Sequence, residues 1–217
     1  MTTSLQSQNF KLLGGHPSLD FVNTVGAWVV DPKRRGGRQE IVLREKLSSY
    51  ADLVAWGRHV DLLTDTEAKQ LLRSAAQQPE SAIIVLKRAI NLRETLYRLF
   101  KDVVQQRRSN SLDIQRLNDE LLIARGHQVL MSSGSKLEWH WTRFDGDLDR
   151  VLWPLTIYAA ELLASDDLSR LRQCRGEECG WLFMDVSRNR SRQWCEMRDC
   201  GNLAKVKRFR QRKRKTF

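Results

Sequence analysis

Apolar positions recur at helical spacing through the middle of this chain. Between Leu47 and Leu63 they include Tyr50, Leu53, Val54 and Trp56, which predicts a helix. Thr64-Asp-Thr-Glu67 then has the form of a capping box: the Thr64 hydroxyl can accept from the Glu67 amide while the Glu67 carboxylate reaches back. A second helix starts there. The longest periodic stretch runs from Ser81 to about Gln105, with Ile83, Leu86, Ile90, Leu96, Leu99, Phe100 and Val103 on its apolar side and Lys87, Arg88, Arg93 and Arg98 between them. A shorter helix follows Ser111 through Leu112, Leu117 and Leu121. The period then changes. His127 to Met131 and Lys136 to Phe144 show alternation and aromatic content around Ser132-Ser-Gly-Ser135, which predicts a β-hairpin. Asp145-Gly-Asp147 turns the chain into a last helix carrying Leu152, Leu155, Tyr158, Leu162 and Leu163. Pro154 must lie in its first turn, because a proline deeper in a helix breaks it. Asp31-Pro-Lys-Arg-Arg-Gly-Gly37 reads as a loop.

These elements predict an α+β fold: a predominantly helical N-terminal domain with a short β-hairpin over residues 1–168, and a small C-terminal unit over 169–217. With 217 residues, 41% of them hydrophobic, the chain can bury a sizeable core. No apolar run approaches the roughly 20 residues of a membrane-spanning helix. The opening Met-Thr-Thr-Ser-Leu-Gln-Ser-Gln lacks a charged segment followed by an apolar run, so a cytoplasmic protein is expected.

The C-terminal unit holds all four cysteines, as Cys174-x4-Cys179 and Cys195-x4-Cys200. Two thiol pairs, each on a tight turn and each followed by glycine, suit one tetrahedral zinc ion with Zn–S bonds of roughly 2.3 Å. Disulfides and metal-free buried thiols are the alternatives. A reducing compartment speaks against disulfides, and the absence of cysteine before Cys174 speaks against thiols as ordinary core filling. Four thiolates leave no open position for a catalytic water, so the zinc is expected to be structural, one per chain. Trp181, Phe183 and Trp194 are expected to form this unit's own small core, which makes it separable from the helical domain.

Charge sharpens the picture. From Arg170 to Phe217 there are 15 Lys and Arg against 5 Asp and Glu, a net +10 of the chain's total +11. The final stretch Lys205 to Lys215 contains no acid. Such a segment expects a polyanion, and phosphate neutralisation with counterion release is its usual use. Arg188, Arg190, Arg192, Lys205, Lys207, Arg208, Arg210 and Arg212 are the candidate phosphate contacts. Asn202 is placed to cap a terminal helix, and Leu203, Val206 and Phe209, three residues apart, to hold it against the zinc unit. That apolar face is too thin for deep membrane insertion.

No catalytic constellation emerges: His16, His59, His127 and His140 lack ligand spacing, although the last two share the predicted hairpin, and no nucleophile elbow or phosphate-binding loop occurs. The expectation is a binding protein, not an enzyme. One N-terminal motif is unusual. Gly14-Gly-His-Pro-Ser-Leu-Asp-Phe-Val-Asn-Thr24 sets Asp20, Asn23 and Thr24 among apolar residues, either to satisfy backbone groups at a turn or to rim a small-ligand pocket.

This motif, together with Cys174-x4-Cys179-Gly-Trp-Leu-Phe183, Asp185, Ser187, Arg192, Trp194, Cys195 and Cys200-Gly-Asn202, resembles the bacterial CGNR zinc-finger proteins, whose N-terminal region is called the ABATE domain. The two anchors bracket nearly the whole sequence. The resemblance implies a role in stress-linked transcription regulation and a zinc finger that carries basic residues. Leu203 stands where the family usually has arginine, which removes any contact that arginine makes but leaves the zinc ligands intact. The leading expectation is a DNA-binding transcription regulator whose N-terminal domain senses a small-molecule effector or forms a homodimer. The alternatives are an RNA- or ribosome-associated zinc protein, and a ligand-binding or enzymatic N-terminal domain for which the finger is a scaffold.

Overall fold

The computed structural model describes residues 10–30, 40–142 and 146–214. A short helix α1 (Pro17–Val22) leads into a hairpin of β1 (Val25–Val30) and β2 (Glu40–Glu45). Helices α2 (Tyr50–His59), α3 (Asp65–Gln77), α4 (Pro79–Val104) and α5 (Ser111–Gly126) follow, then the antiparallel pair β3 (Gln128–Ser133) and β4 (Lys136–Trp141). After α6 (Leu152–Leu163), a 3-10 turn at Asp166–Arg170 delivers the chain to β5 (Leu171–Gln173), which pairs with β6 (Leu182–Met184). A π-type turn, Met197–Gly201, runs into the terminal helix α7 (Asn202–Arg214). Among the described residues helices dominate, and the strands form three two-stranded sheets.

The helix starts have local causes. Ser49 with Asp52 and Thr64 with Glu67 both form complete capping boxes, and the first of these starts α2 at Tyr50, not Leu47. Pro79 opens α4, where its missing N–H costs nothing, so α4 begins two residues before the expected Ser81. Pro154 falls in the first turn of α6 as predicted. Glu67 also accepts from Arg150 Nη2 at 2.9 Å, tying the start of α3 to the approach to α6.

Helix α4 is the axis of the molecule. At 26 residues it is about 39 Å long. It touches α1, α2, α3, α5, α6, β5 and β6, and it buries Leu92, Leu96, Tyr97, Leu99 and Phe100. It also buries a cation. The Arg93 guanidinium is wholly inaccessible and donates to Glu45 at 2.6 and 2.5 Å and to Thr24 Oγ1 at 3.2 Å. A buried charge is tolerable only when paired, so this triad fixes β2 and the end of the N-terminal motif onto α4. Trp28 of β1 stacks on Tyr97 of α4, with centroids 3.9 Å apart and planes within 8°.

The hairpin β1–β2 is absent from the sequence reading, whose loop at Asp31–Gly37 lies outside the described residues. The hairpin β3–β4 is where it was predicted, ending at Trp141; Arg143 to Asp145 are likewise outside the described residues. Its histidines do not meet. His127 stacks on Trp153 at 3.6 Å between centroids, while His140 pairs across the strands with Val129 and lies beside Glu138.

The expected separation of a self-contained zinc unit is not what the packing shows. Cys174, Cys179, Cys195, Trp181, Leu182, Phe183 and Met184 belong to the same apolar cluster as Phe21, Trp56 and Leu96, with Trp194 packed against it. Hairpin β5–β6 completes the main core and does not enclose one of its own. Among the described residues, no helix is long and apolar enough to cross a membrane.

Glu45→Gln should expose how much the fold relies on the Arg93 triad. Loss of the carboxylate leaves a fully buried guanidinium without its counter-charge, and because Glu45 is itself only partly buried the cost is expected to be about 2–3 kcal/mol. Urea unfolding followed by circular dichroism checks this; a midpoint unchanged from the parent would show that the pair contributes nothing net.

Candidate metal centre and cationic helix

The two cysteine pairs converge because each occupies a turn built for it. Cys174 directly follows β5 and its amide continues the β5–β6 ladder, donating to Trp181 O at 2.8 Å. The Cys179 amide closes a tight turn by donating to Gly176 O at 3.2 Å, and the Gly176 N–H points at Cys174 Sγ, 3.4 Å away. Cys195 precedes the π-type turn and Cys200 lies within it, a turn closed by Gly201 N donating to Glu196 O at 3.1 Å.

All four Sγ atoms lie within 4.8 Å of one another. The separations Cys179–Cys195, 3.6 Å, and Cys195–Cys200, 3.7 Å, are close to the roughly 3.8 Å edge of a ZnS4 tetrahedron. The thiols also perturb one another. Thiols of Cys179 and Cys195 around Cys174 hold its pKa far below the ordinary value by donating to its sulfur. Cys179 and Cys195 are pushed well up because Cys174 then takes their S–H groups as donors, and burial raises Cys200. Four thiolates this close repel one another, and a dication among them is what stabilises the set.

The second pair is braced from below. Asp185 is fully buried and accepts from Ser187 N and Oγ at 3.0 and 2.5 Å and from Arg192 N at 2.9 Å. Burial pushes its carboxyl up, but these hydrogen bonds outweigh that and hold it below the usual range. Arg192, expected at a phosphate, is instead structural. Its guanidinium lies over the Phe183 ring at 4.3 Å and donates to the carbonyls of Trp194, at 3.0 Å, Cys195 and Leu13, so its donors are committed inside the fold.

The remaining cations are outside. Arg188 and Arg190 lie exposed on the loop after β6, and Lys205, Lys207, Arg208, Arg210 and Arg212 are exposed on α7. Lys207 forms an ion pair with Glu177. Two details of the expected geometry change. Asn202 does not cap α7: it has helical backbone angles, and its Nδ2 donates back to Arg198 O at 3.0 Å, because the π-type turn already feeds the helix. Leu203, Val206 and Phe209 are 71%, 47% and 60% exposed, so they do not clasp the finger. Helix α7 packs mainly on the π-type turn and otherwise projects, a consequence of how little surface a five-residue turn offers.

The N-terminal motif is the dock for the finger. Asn23 pairs with the backbone of Leu182 through both ends of its amide, Nδ2 to O at 2.8 Å and Oδ1 from N at 3.1 Å. Thr24 Oγ1 donates to Phe21 O at 2.7 Å and accepts from Arg93. Asp20 accepts from Gly14 N at 2.8 Å, and Gly14 O receives Met184 N at the same distance. All three polar side chains are buried and engaged in the fold, and none of them lines the cleft beside the cysteines or the one between α4 and α5. Gly180, with φ of +68°, lets the knuckle approach so closely that a Cβ there would stand 2.3 Å from Trp28 O. Trp28 N in turn donates to Cys179 O at 2.8 Å, and Trp181 Nε1 to Val25 O at 3.1 Å.

Sequence reasoning missed Lys11, Arg44 and Lys46, which the fold carries to the rim of the cleft beside α7. No local pattern could have found them, because long-range contacts bring them there: Lys11 pairs with Glu196 and Asp199, and the hairpin that carries Arg44 is held to the knuckle by Trp28.

The family model described as CGNR zinc finger matches residues 170–213, and the ABATE model, described as "Putative stress-induced transcription regulator", matches residues 15–166. Comparison with curated proteins gives no match.

Two variants test this arrangement. Cys195→Ser should reduce bound zinc from one per chain to near zero and lower the melting midpoint of the entire chain by about 10 °C in a single transition, because the thiols belong to the common core. Metal analysis with a circular dichroism melt reads both, and a surviving helical domain with its own later transition would contradict it. Asp20 has its carboxyl raised to about 6 by burial, against the opposing hydrogen bond from Gly14. Between pH 4 and 6 the folded chain holds a proton that the unfolded chain has released, so raising pH through that window removes stability. Asp20→Asn should therefore gain roughly 2 kcal/mol relative to the parent on going from pH 4 to pH 7, measured by urea unfolding at each pH.

Proposed function

Since the chain belongs to the ABATE family and carries a CGNR zinc finger with a four-thiol site, we propose that it is a cytoplasmic, zinc-dependent DNA-binding transcription regulator. The zinc ion is structural. Its residues are Cys174, Cys179, Cys195 and Cys200, and the chemistry it supplies is cross-linking: it neutralises converging thiolates and locks two turns together. We assign the chain no reaction.

The observation that carries this reading is α7. It is a largely exposed helix with no acid in it, and its first turn is welded to a metal ligand through Cys200-Gly201-Asn202. A row of exposed positive charge on one helix attracts a polyanion such as a phosphate backbone. Phosphate contacts of this kind position a protein on a duplex without reading sequence, so any choice of site comes from side chains reaching base edges or from DNA shape. Lys205, Lys207, Arg208, Arg210 and Arg212 are the contacts on α7, with Arg188 and Arg190 on the adjoining loop. Arg192 is left out because its donors are occupied.

The body of the chain is proposed to hold α7 in a fixed frame. The buried polar side chains of the N-terminal motif support this scaffold role more directly than an effector site. Structured RNA would satisfy the same charges, and competition decides between them.

Truncation after Asn202 should abolish binding of a labelled duplex, a loss of at least a hundredfold at 0.1 M salt, while zinc content and the melting midpoint stay close to those of the parent, because α7 contributes little to the core. Duplex binding retained by the truncated chain would sink the proposal. Stronger displacement by structured RNA than by unlabelled duplex at the same salt would transfer the function to RNA.

A further inference from the structure

A cleft of about 720 Å³ lies between α7, the first cysteine turn and the β1–β2 hairpin, next to the metal site. Its walls come from both ends of the sequence. Lys207 and Arg208 line it from α7, Arg175 from the cysteine turn, and Lys11, Arg44 and Lys46 from the body of the chain.

The charges on these walls are unevenly compensated. Lys11 pairs with Glu196 and Asp199, and Lys207 pairs with Glu177. Among the described residues, Arg44, Lys46, Arg175 and Arg208 have no carboxylate within ion-pair distance, and Glu178 is the one further acid on the lining. Glu45, the neighbour in sequence of both Arg44 and Lys46, is turned inward and spent on Arg93.

Lys46 is the sharpest sign. It is half-buried, its ammonium sits over the Trp181 ring at 5.0 Å, and burial together with repulsion from Lys11 and Arg44 holds its pKa below the ordinary lysine value. A cation placed where it is desolvated and repelled, with no acid to relieve it, is stabilised by an incoming anion. Arg44 adds a geometric sign. It takes positive φ, 56°, and its side chain lies across Gly26, where a Cβ would stand 2.5 Å from Nε. The backbone here accepts an unfavourable conformation while the guanidinium is carried to the cleft.

We propose that this cleft seats a stretch of phosphodiester backbone of the bound nucleic acid, so that Arg44 and Lys46 grip the same strand as α7. The inference rests on the nucleic-acid reading of α7 and extends it: the interface is composite, and the N-terminal body is a direct partner in binding. A phosphodiester fits better than an isolated small anion, because the cleft is open to solvent and the row of exposed cations on α7 continues beyond it to Lys213. It also gives Lys207 and Arg208 a different task from Arg210 and Arg212, since only the first two face the cleft.

The test compares full-length, zinc-loaded chains across a salt series, with a labelled 30-base-pair duplex as probe. The variants are Arg44→Gln/Lys46→Gln, the charge-keeping Arg44→Lys/Lys46→Arg, and Arg210→Gln/Arg212→Gln as the α7 control. The neutral cleft pair should weaken binding roughly tenfold to a hundredfold at 0.1 M salt and reduce the slope of log affinity against log salt by about two, since each phosphate contact contributes about 0.9. The charge-keeping pair should retain most of the affinity. Melting curves and zinc content confirm that each variant is folded. If the neutral cleft pair binds with the parent's affinity and slope while the α7 control is weakened, the composite interface is wrong and the reading of α7 stands. If the parent itself binds no nucleic acid, both fall together.

Discussion

The carboxamide of Asn23 occupies the place of a β-strand. With one donor and one acceptor it satisfies both backbone groups of Leu182 on the free edge of a three-residue strand, inside the core, where neither group could find water. Everything else about the docking of the finger is consistent with that one contact. Gly180 admits Trp28, Trp28 reaches Cys179, Trp181 reaches Val25, and Gly14 meets Met184, so a band from residue 14 to residue 28 is laid against the knuckle from 179 to 184. The finger is thereby a wall of the main core and not a module on a tether. Its metal and the body's apolar cluster stabilise the same object.

Positive charge in this chain does three different jobs, and composition alone does not separate them. Arg93 is a wholly buried pillar, paired with Glu45. Arg192 is a clamp that collects carbonyls around the second cysteine pair, with its planar face on Phe183. Both use the fixed fork of the guanidinium, which a lysine could not replace. The cations of α7 do neither, because they meet solvent. A net charge of +10 over the C-terminal segment therefore overstates the part that can meet a partner.

What the sequence revealed was whatever is local. The period of α4 and α6, the Thr64 capping box and the spacing of the four cysteines depend on residues within a few positions of one another, and each appears where the pattern put it. Hairpin β1–β2 was illegible because Val25-Gly-Ala-Trp-Val-Val30 has no polar alternation; its inner residues are buried against α4 and the knuckle, and nothing nearby advertises its partner strand. The role of Asn23 was hidden for a stronger reason, since its partner lies 159 residues away. Leu203, Val206 and Phe209 misled in the opposite direction. Their spacing is that of a packed face, but the fold supplies no surface to pack on, and periodicity states a capacity for burial without a partner to realise it.

The attachment of α7 has a mechanical side. A helix of 13 residues is about 20 Å long, and this one is fixed at one end by the turn that holds Cys200. It is a lever with a metal ligand at its fulcrum. A rotation of roughly 10° at that turn carries the far end about 3.5 Å sideways, more than the length of a hydrogen bond. The tightness of the thiol cluster thus sets how firmly the whole row of cations is held relative to the body, because slack at the sulfurs is multiplied along the length of the helix.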